Sequence, residues 1–231
     1  MTKSWYFLYN SCYIRCDNYY LERIMLYDYL KQNYKEAEPI FFGDIHFDHI
    51  SKPVLNQMIK QLCDEGKLIK YDTGIYYIPK KSHLMGNIGP NADIVARYKY
   101  IERQGQINGY YSGNTLANKM GITTQVPRQI EITSNHMAAR VREIELGSRK
   151  FIVRHPVVPV TNENAAVLQM LDLLKNLDLY NDGSYQEAAE RFHDYIIRHR
   201  IRKSDVDKYI RQFPVSVFKN YYELGLDHFL I

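Results

Sequence analysis

The chain has 231 residues, a formal net charge of +4, a hydrophobic content of 45% and 21 tyrosines. That length accommodates one large domain or two small ones with an ordinary core, and the charge is too mild to establish a nucleic-acid partner by itself. The apolar run Trp5–Tyr9 is too short to span a bilayer and lacks a signal peptide's length and cleavage site, so a soluble, cytoplasmic protein with no membrane association is expected. Cys12, Cys16 and Cys63 form an odd, sparse set without zinc-ribbon spacing, which suits a reducing compartment. Tyrosine packs and also reaches phosphates, so its abundance does not select a function.

Residues 1–18 have no clean period and read equally as an extra strand or an ordered arm. A first helix is expected over residues 19–34, with Tyr20, Ile24, Tyr27 and Leu30 or Lys31 at helical spacing. Pro39–Phe42 reads as a short extended piece and residues 43–50 as a second short helix. A third helix starts after Ser51, which can cap it. Lys52-Pro53 opens its first turn, and Leu55, Met58, Ile59 and Leu62 fall at i, i+3, i+4 and i+7. Gly66 suits the left-handed residue just past its end. Two β-rich runs then fold about Asp72-Thr73-Gly74, a short-loop hairpin signal. Helix, helix, helix, hairpin is the plan of a winged helix-turn-helix, whose helix enters the DNA major groove while the hairpin touches the backbone.

The polar, glycine-bearing stretch from Lys80 to Pro90 reads as a domain joint. Beyond it a helix is expected over residues 91–104 with Ile94, Tyr98 and Ile101 on its apolar face. A short helix capped by Ser112 and closed by Gly121 comes next, then strands within residues 128–158 that turn at Gly147-Ser148. Helix returns over residues 162–177, with Val167, Met170, Leu171 and Leu174 at helical spacing, and the last fifty residues are helical too. Ser204 followed by Val206, Tyr209, Ile210 and Phe213 is the clearest segment there. The expected domains are 1–86, 87–180 and a C-terminal helical extension 181–231.

On the third helix, Lys52, Asn56, Gln57 and Lys60 share the face opposite the apolar stripe. Asn and Gln can pair bidentately with adenine edges, and Lys reaches phosphate or guanine. On the hairpin, Lys67, Lys70 and Thr73 are the expected backbone contacts. The surplus of positive charge lies in the middle of the chain, with ten Lys/Arg against five Asp/Glu in residues 87–160. That segment can hold nucleic acid or an acidic protein partner, or be a solvated basic face. Asp44, His46, Asp48 and His49 are metal-ligating types, but no two-histidine-plus-carboxylate set converges on one helix face, and no metal is expected. No nucleophile elbow, phosphate loop or His-Glu-x-x-His occurs, so nothing favours an enzyme and no cofactor is expected. Cys63 sits beside the apolar stripe and reads as core.

The segment Gly109-Tyr110-Tyr111-Ser112-Gly113-Asn114-Thr115-Leu116 through Gly121-Ile122-Thr123-Thr124-Gln125-Val126-Pro127 resembles the core of the AbiEi-like antitoxin and regulator proteins of bacterial type IV toxin–antitoxin systems. Leu62, Gly66-Lys67-Leu68-Ile69-Lys70 and Gly74-Ile75-Tyr76-Tyr77 resemble that family's winged domain, and Thr161-Asn162-Glu163-Asn164 with the helix to Leu177 its next element. The likeness covers about residues 20–180. It implies a winged domain that binds inverted repeats in its own promoter and represses transcription. It also implies a second domain that counters a nucleotidyltransferase-like toxin without being an enzyme. Arg128, Arg140, Arg142, Arg149, Lys150 and Arg154 can then face that toxin or nucleic acid. The extra C-terminal helices depart from the pattern.

The expected fold class is therefore α+β: an N-terminal winged helix-turn-helix, then a mixed α/β antitoxin-like domain with extra C-terminal helices. The rival functions are a stand-alone winged-helix regulator, a protein-interaction module and a metal enzyme built on Asp44, His46, Asp48 and His49.

Overall fold

The computed structural model describes residues 21–47, 50–82 and 86–229. Residues 1–18, Tyr19, Tyr20, Asp48 and His49 lie outside them. The chain is α+β and divides into two compact units, Met1–Asn91 and Ala92–Ile231, so the boundary falls a few residues after the expected 86.

In the first unit, α1 spans residues 21–33 and α2 spans Lys52–Asp64. Leu26 and Leu30 of α1 are fully buried, and they share one core with Leu55, Met58, Ile59 and Leu62 of α2. The α2 stripe is the one expected. In α1, however, Ile24 is exposed and Tyr27 only half-buried, so the inward face is rotated from the predicted one. Leu26 and Leu30, one turn apart, carry it.

Where a helix is expected over residues 43–50, the described residues show a single 3-10 turn, Phe42–Asp44, after which Ile45 is extended. Ile45 is buried, and Phe47, two residues on, packs edge-on to Tyr29 at 5.7 Å between ring centroids. A two-residue apolar spacing fits extended chain and not a helix. Before this turn, β1 (Ile40–Phe41) pairs with β3 (Ile75–Tyr77), and β3 pairs antiparallel with β2 (Ile69–Asp72). The β2–β3 turn is Thr73-Gly74, with Gly74 at φ +71° and the Thr73 amide donating to the Asp72 carboxylate. Gly66, at φ +70°, ends α2 as expected. Within the predicted joint, β4 (Lys80–Ser82) pairs antiparallel with β5 (Gly86–Ile88).

The second unit opens with α3 (Ala92–Ala96), which runs into a π-helical turn, Arg97–Ile101. The widened turn changes the register, so Val95, Ala96 and Tyr100 are buried while the expected Ile94 is exposed. The short hairpin of β6 (Glu102–Arg103) and β7 (Gln106–Ile107) follows. Then come β8 (Gly109–Tyr111), α4 (Gly113–Met120), β9 (Ile130–Ser134), β10 (Val141–Leu146) and β11 (Arg149–Arg154). They form a mixed sheet in the order β10-β11-β9-β8, with β11 parallel to β9 and the other pairs antiparallel.

Five helices complete the unit: α5 (Ala165–Leu174), α6 (Leu177–Tyr180), α7 (Tyr185–His199), α8 (Lys203–Tyr209) and α9 (Val215–Glu223). α5 is buried nearly all round, as its Leu-rich sequence requires. Residues 181–231, set apart in the sequence as an extension, supply Phe192, Ile196, Val206, Val217 and Leu226 to the same core as Leu116, Leu168 and Leu171. The sheet is covered on one side by α4 and α5. Its other face, with Ile132, Phe151 and Val153, lies toward α3 and the π turn, where the Ser134 hydroxyl donates to the Tyr100 carbonyl at 2.6 Å.

Candidate functional site

α2 is two-faced. Behind it lies the first unit's core; on the other side Lys52, Asn56, Gln57 and Lys60 are all exposed. The polarity also changes along the helix. Lys52 lies in its first turn, Asn56 and Gln57 in its middle and Lys60 in its second half, whereas its end carries Asp64 and Glu65, and Glu65 is tied to Arg23 at 2.9 Å. Of the two lysines only Lys52 lies at the positive end of the helix dipole.

Lys67 lies in the connection before β2 and not on the hairpin. Its ammonium pairs with Glu65 at 2.8 Å and sits 5.5 Å from the Tyr27 ring centroid. The Lys67 contact holds the Glu65 carboxyl below its ordinary range. Lys70 is exposed on β2 and Thr73 on the turn, so the structure brings these two to the hairpin and leaves Lys67 engaged elsewhere. Cys63 is half-buried against the core; burial, then Asp64, raises its thiol, which stays protonated. Asp44 ends the 3-10 turn and His46 is exposed beyond it. Among the described residues no three metal-ligating side chains gather.

In the second unit the six basic residues do not form one patch. Arg128, Arg140, Arg142 and Lys150 are exposed. Arg149 leaves β11 on the α3 side and pairs with Asp93. Arg154, on the opposite face because side chains alternate along a strand, pairs with Glu131 at 2.8 Å.

That last contact belongs to a charged cluster under the start of α4. Glu131 is 7% exposed, and its second carboxylate oxygen accepts from the Asn114 amide at 3.0 Å. Ser112 occupies the N-cap position as expected, but its side chain makes no capping bond. A carboxylate from β9 has taken over that backbone donor. Gly113 makes this possible: at φ +55°, a Cβ there would come within 2.4 Å of the Glu131 carboxyl carbon. Beside this pair, Lys175 contacts Asp172 at 2.9 Å, and the Thr133 hydroxyl donates to the other Asp172 oxygen at 3.3 Å. A small cavity of about 130 Å³ opens over the cluster, lined by Ser112, Arg154, Asp172, Lys175, Asn176 and Tyr180. Burial raises the Tyr180 phenol, so it is a neutral donor there.

A wider cavity of about 570 Å³ lies between the end of α4 and α7, bordered by Lys119, Arg191, Asp194, Tyr195, Arg198 and His199. Its floor is fixed by Tyr195, whose hydroxyl donates to Gln169 at 2.6 Å. Sequence reasoning passed over both cavities. The α7 residues do carry a signal, since Arg191, Asp194, Tyr195, Arg198 and His199 recur at i, i+3, i+4, i+7 and i+8. The small cavity has none, because Glu131, Arg154 and Asp172 meet only through tertiary pairing.

No helix among the described residues is long and apolar enough to cross a membrane. No curated protein matches the chain. The model of a family of unknown function, DUF6088, matches residues 26–179, which is more than half of the chain, and the chain belongs to that family.

Proposed function

We propose that this chain is a DNA-binding transcriptional repressor and antitoxin that acts by binding and not by catalysis. Its first unit is read as a winged helix-turn-helix in which the middle helix is reduced to the Phe42–Asp44 turn, α2 is the recognition helix and β2–β3 is the wing. The observation that carries this reading is the division of α2: a wholly buried apolar stripe behind, and Lys52, Asn56, Gln57 and Lys60 exposed in front, followed at once by a hairpin with exposed Lys70 and Thr73. Lysine contacts to phosphate supply affinity, and Asn56 and Gln57 supply base choice.

The resemblance to AbiEi-like proteins supports inverted repeats in the chain's own promoter as the operator, and a nucleotidyltransferase-like toxin as partner of the second unit. Arg128, Arg140, Arg142 and Lys150 are the residues offered to that toxin. Arg149 and Arg154 serve internal ion pairs.

The test is fluorescence anisotropy with the DNA upstream of the chain's own gene against a shuffled duplex, across a salt series. Preference for the first, with a steep fall in affinity as salt rises, is expected. Equal weak binding to both duplexes rejects the regulator. Co-expression with the neighbouring gene's product tests the antitoxin arm: rescue of growth and a co-purifying complex are expected, and absence of both removes it.

A further inference from the structure

We infer that the small cavity over the start of α4 is a binding site for an oxyanion, a phosphate or the phosphoryl group of a larger molecule, in the second unit and independent of any DNA contact.

The argument is one of donors and acceptors. Each carboxylate at the site is already engaged inward. Glu131 holds the Asn114 amide with one oxygen and Arg154 with the other. Asp172 holds Lys175 with one and the Thr133 hydroxyl with the other. The donors are not exhausted. Arg154 has five N–H groups and gives one to Glu131. Lys175 has three and gives one to Asp172. The Tyr180 phenol, kept neutral by burial, has an O–H to donate. The Ser112 hydroxyl is completely enclosed in a residue 2% exposed, and it has no partner.

That orphan is the telling group. A buried hydroxyl without a partner is destabilising, and it arises here because Glu131 has displaced Ser112 from the capping role its position calls for. The four residues that carry these donors line one cavity of about 130 Å³ at the N-terminal end of an eight-residue helix, where the helix dipole favours negative charge. Buried carboxylates that hold the arginine and lysine heads in place also preorganise them. A ligand rich in acceptors and carrying negative charge is what such a set satisfies; a cation or an apolar group would leave every one of these donors unpaired.

The experiment is isothermal titration of the full-length chain with inorganic phosphate and, separately, adenosine 5′-monophosphate, at constant ionic strength against chloride. Saturable binding of at least one probe is expected. Tighter monophosphate binding assigns the site to a phosphoryl group on a larger molecule, and equal or tighter phosphate binding to the free ion. Lys175→Met should weaken the binding about tenfold, Ser112→Ala should weaken it severalfold while the protein stays folded, and Lys203→Met, on α8 and outside the cavity, should leave it unchanged. No saturable binding of either probe by wild-type protein overturns the proposal. So does binding that survives both Lys175→Met and Ser112→Ala intact. DNA binding by the first unit is read in a separate titration, so either idea can fail alone.

Discussion

The Glu131 carboxylate accepts the Asn114 amide at 3.0 Å, so the first turn of α4 is capped from a neighbouring strand and not by its own N-cap serine. The same carboxylate anchors Arg154. One side chain therefore joins β9, β11 and α4 at their common edge.

Glu131→Ala should lower stability by about 3 kcal/mol, since it removes a cap and strands the partly buried Arg154. Glu131→Gln should cost less, because an amide oxygen can still accept from Asn114. Gly113→Ala should be at least as damaging as Glu131→Ala, for it combines a left-handed backbone with a clash against that carboxyl. Urea unfolding followed by far-UV circular dichroism measures all three. A Gly113→Ala protein of wild-type stability would contradict the packing described.

Lys60→Ala combined with Lys70→Ala should weaken binding to promoter DNA and reduce the magnitude of the log-log salt slope by about 2. Lys67→Ala should change it much less, because that ammonium already pairs with Glu65. Anisotropy titrations at several salt concentrations decide this, and an unchanged slope in the double variant would remove this helix face from the interface.

Phe192 of α7 is fully buried in the core that also contains Leu168 and Leu171. Phe192→Ala should cost about 3–5 kcal/mol. A chain truncated at residue 180 should leave the second unit unfolded, seen as lost thermal cooperativity and binding of a hydrophobic dye. A cooperative transition in the truncated chain would mean that α7, α8 and α9 form a separable layer.

Asp182 accepts hydrogen bonds from the Thr124 amide and the Thr123 and Thr124 hydroxyls, which hold its carboxyl below the ordinary 3.8. A lowered folded value means that the stabilisation is complete above 3.8 and is lost as pH falls below it. Asp182→Ala should therefore be less stable than wild type at neutral pH, with the gap closing in acid. His199 behaves differently in chemistry but alike in sign. Burial, then the neighbouring Arg198, holds its imidazole below the ordinary 6.5, so the neutral ring that lies on Tyr195 is the stable form. Its contribution is present above 6.5 and declines as pH falls below it. His199→Phe should flatten the stability profile in that window. Thermal melts between neutral and acid pH read both variants, and parallel profiles for mutant and wild type would exclude the assigned contacts.

Helix α2 and its hairpin were legible because every signal is local. The stripe Leu55, Met58, Ile59 and Leu62, the left-handed Gly66 and the Thr73-Gly74 turn need no distant partner to be recognised. The same holds for the Leu-rich α5 and for the Gly147-Ser148 turn between β10 and β11. Elements whose periodicity is weak went otherwise. Residues 43–50 read as a helix, but those of them that are described show only the end of the Phe42–Asp44 3-10 turn and then extended chain, with Ile45 and Phe47 packed toward α1. Where α3 runs into its π turn, the buried face passes through Val95, Ala96 and Tyr100 and not through Ile94.

By itself the sequence determined the α+β class, the two-faced α2 and the location of most helices and turns, because periodicity and turn chemistry act within a few residues. Only the tertiary structure decided that residues 181–231 share a core with α4 and α5, and that Arg149 and Arg154 point to opposite faces of one sheet. It alone also brought Glu131, Arg154, Asp172 and Lys175 around the unpaired Ser112 hydroxyl. Those outcomes depend on strand register and on which helix covers which face, and both are set by contacts between residues far apart in the chain.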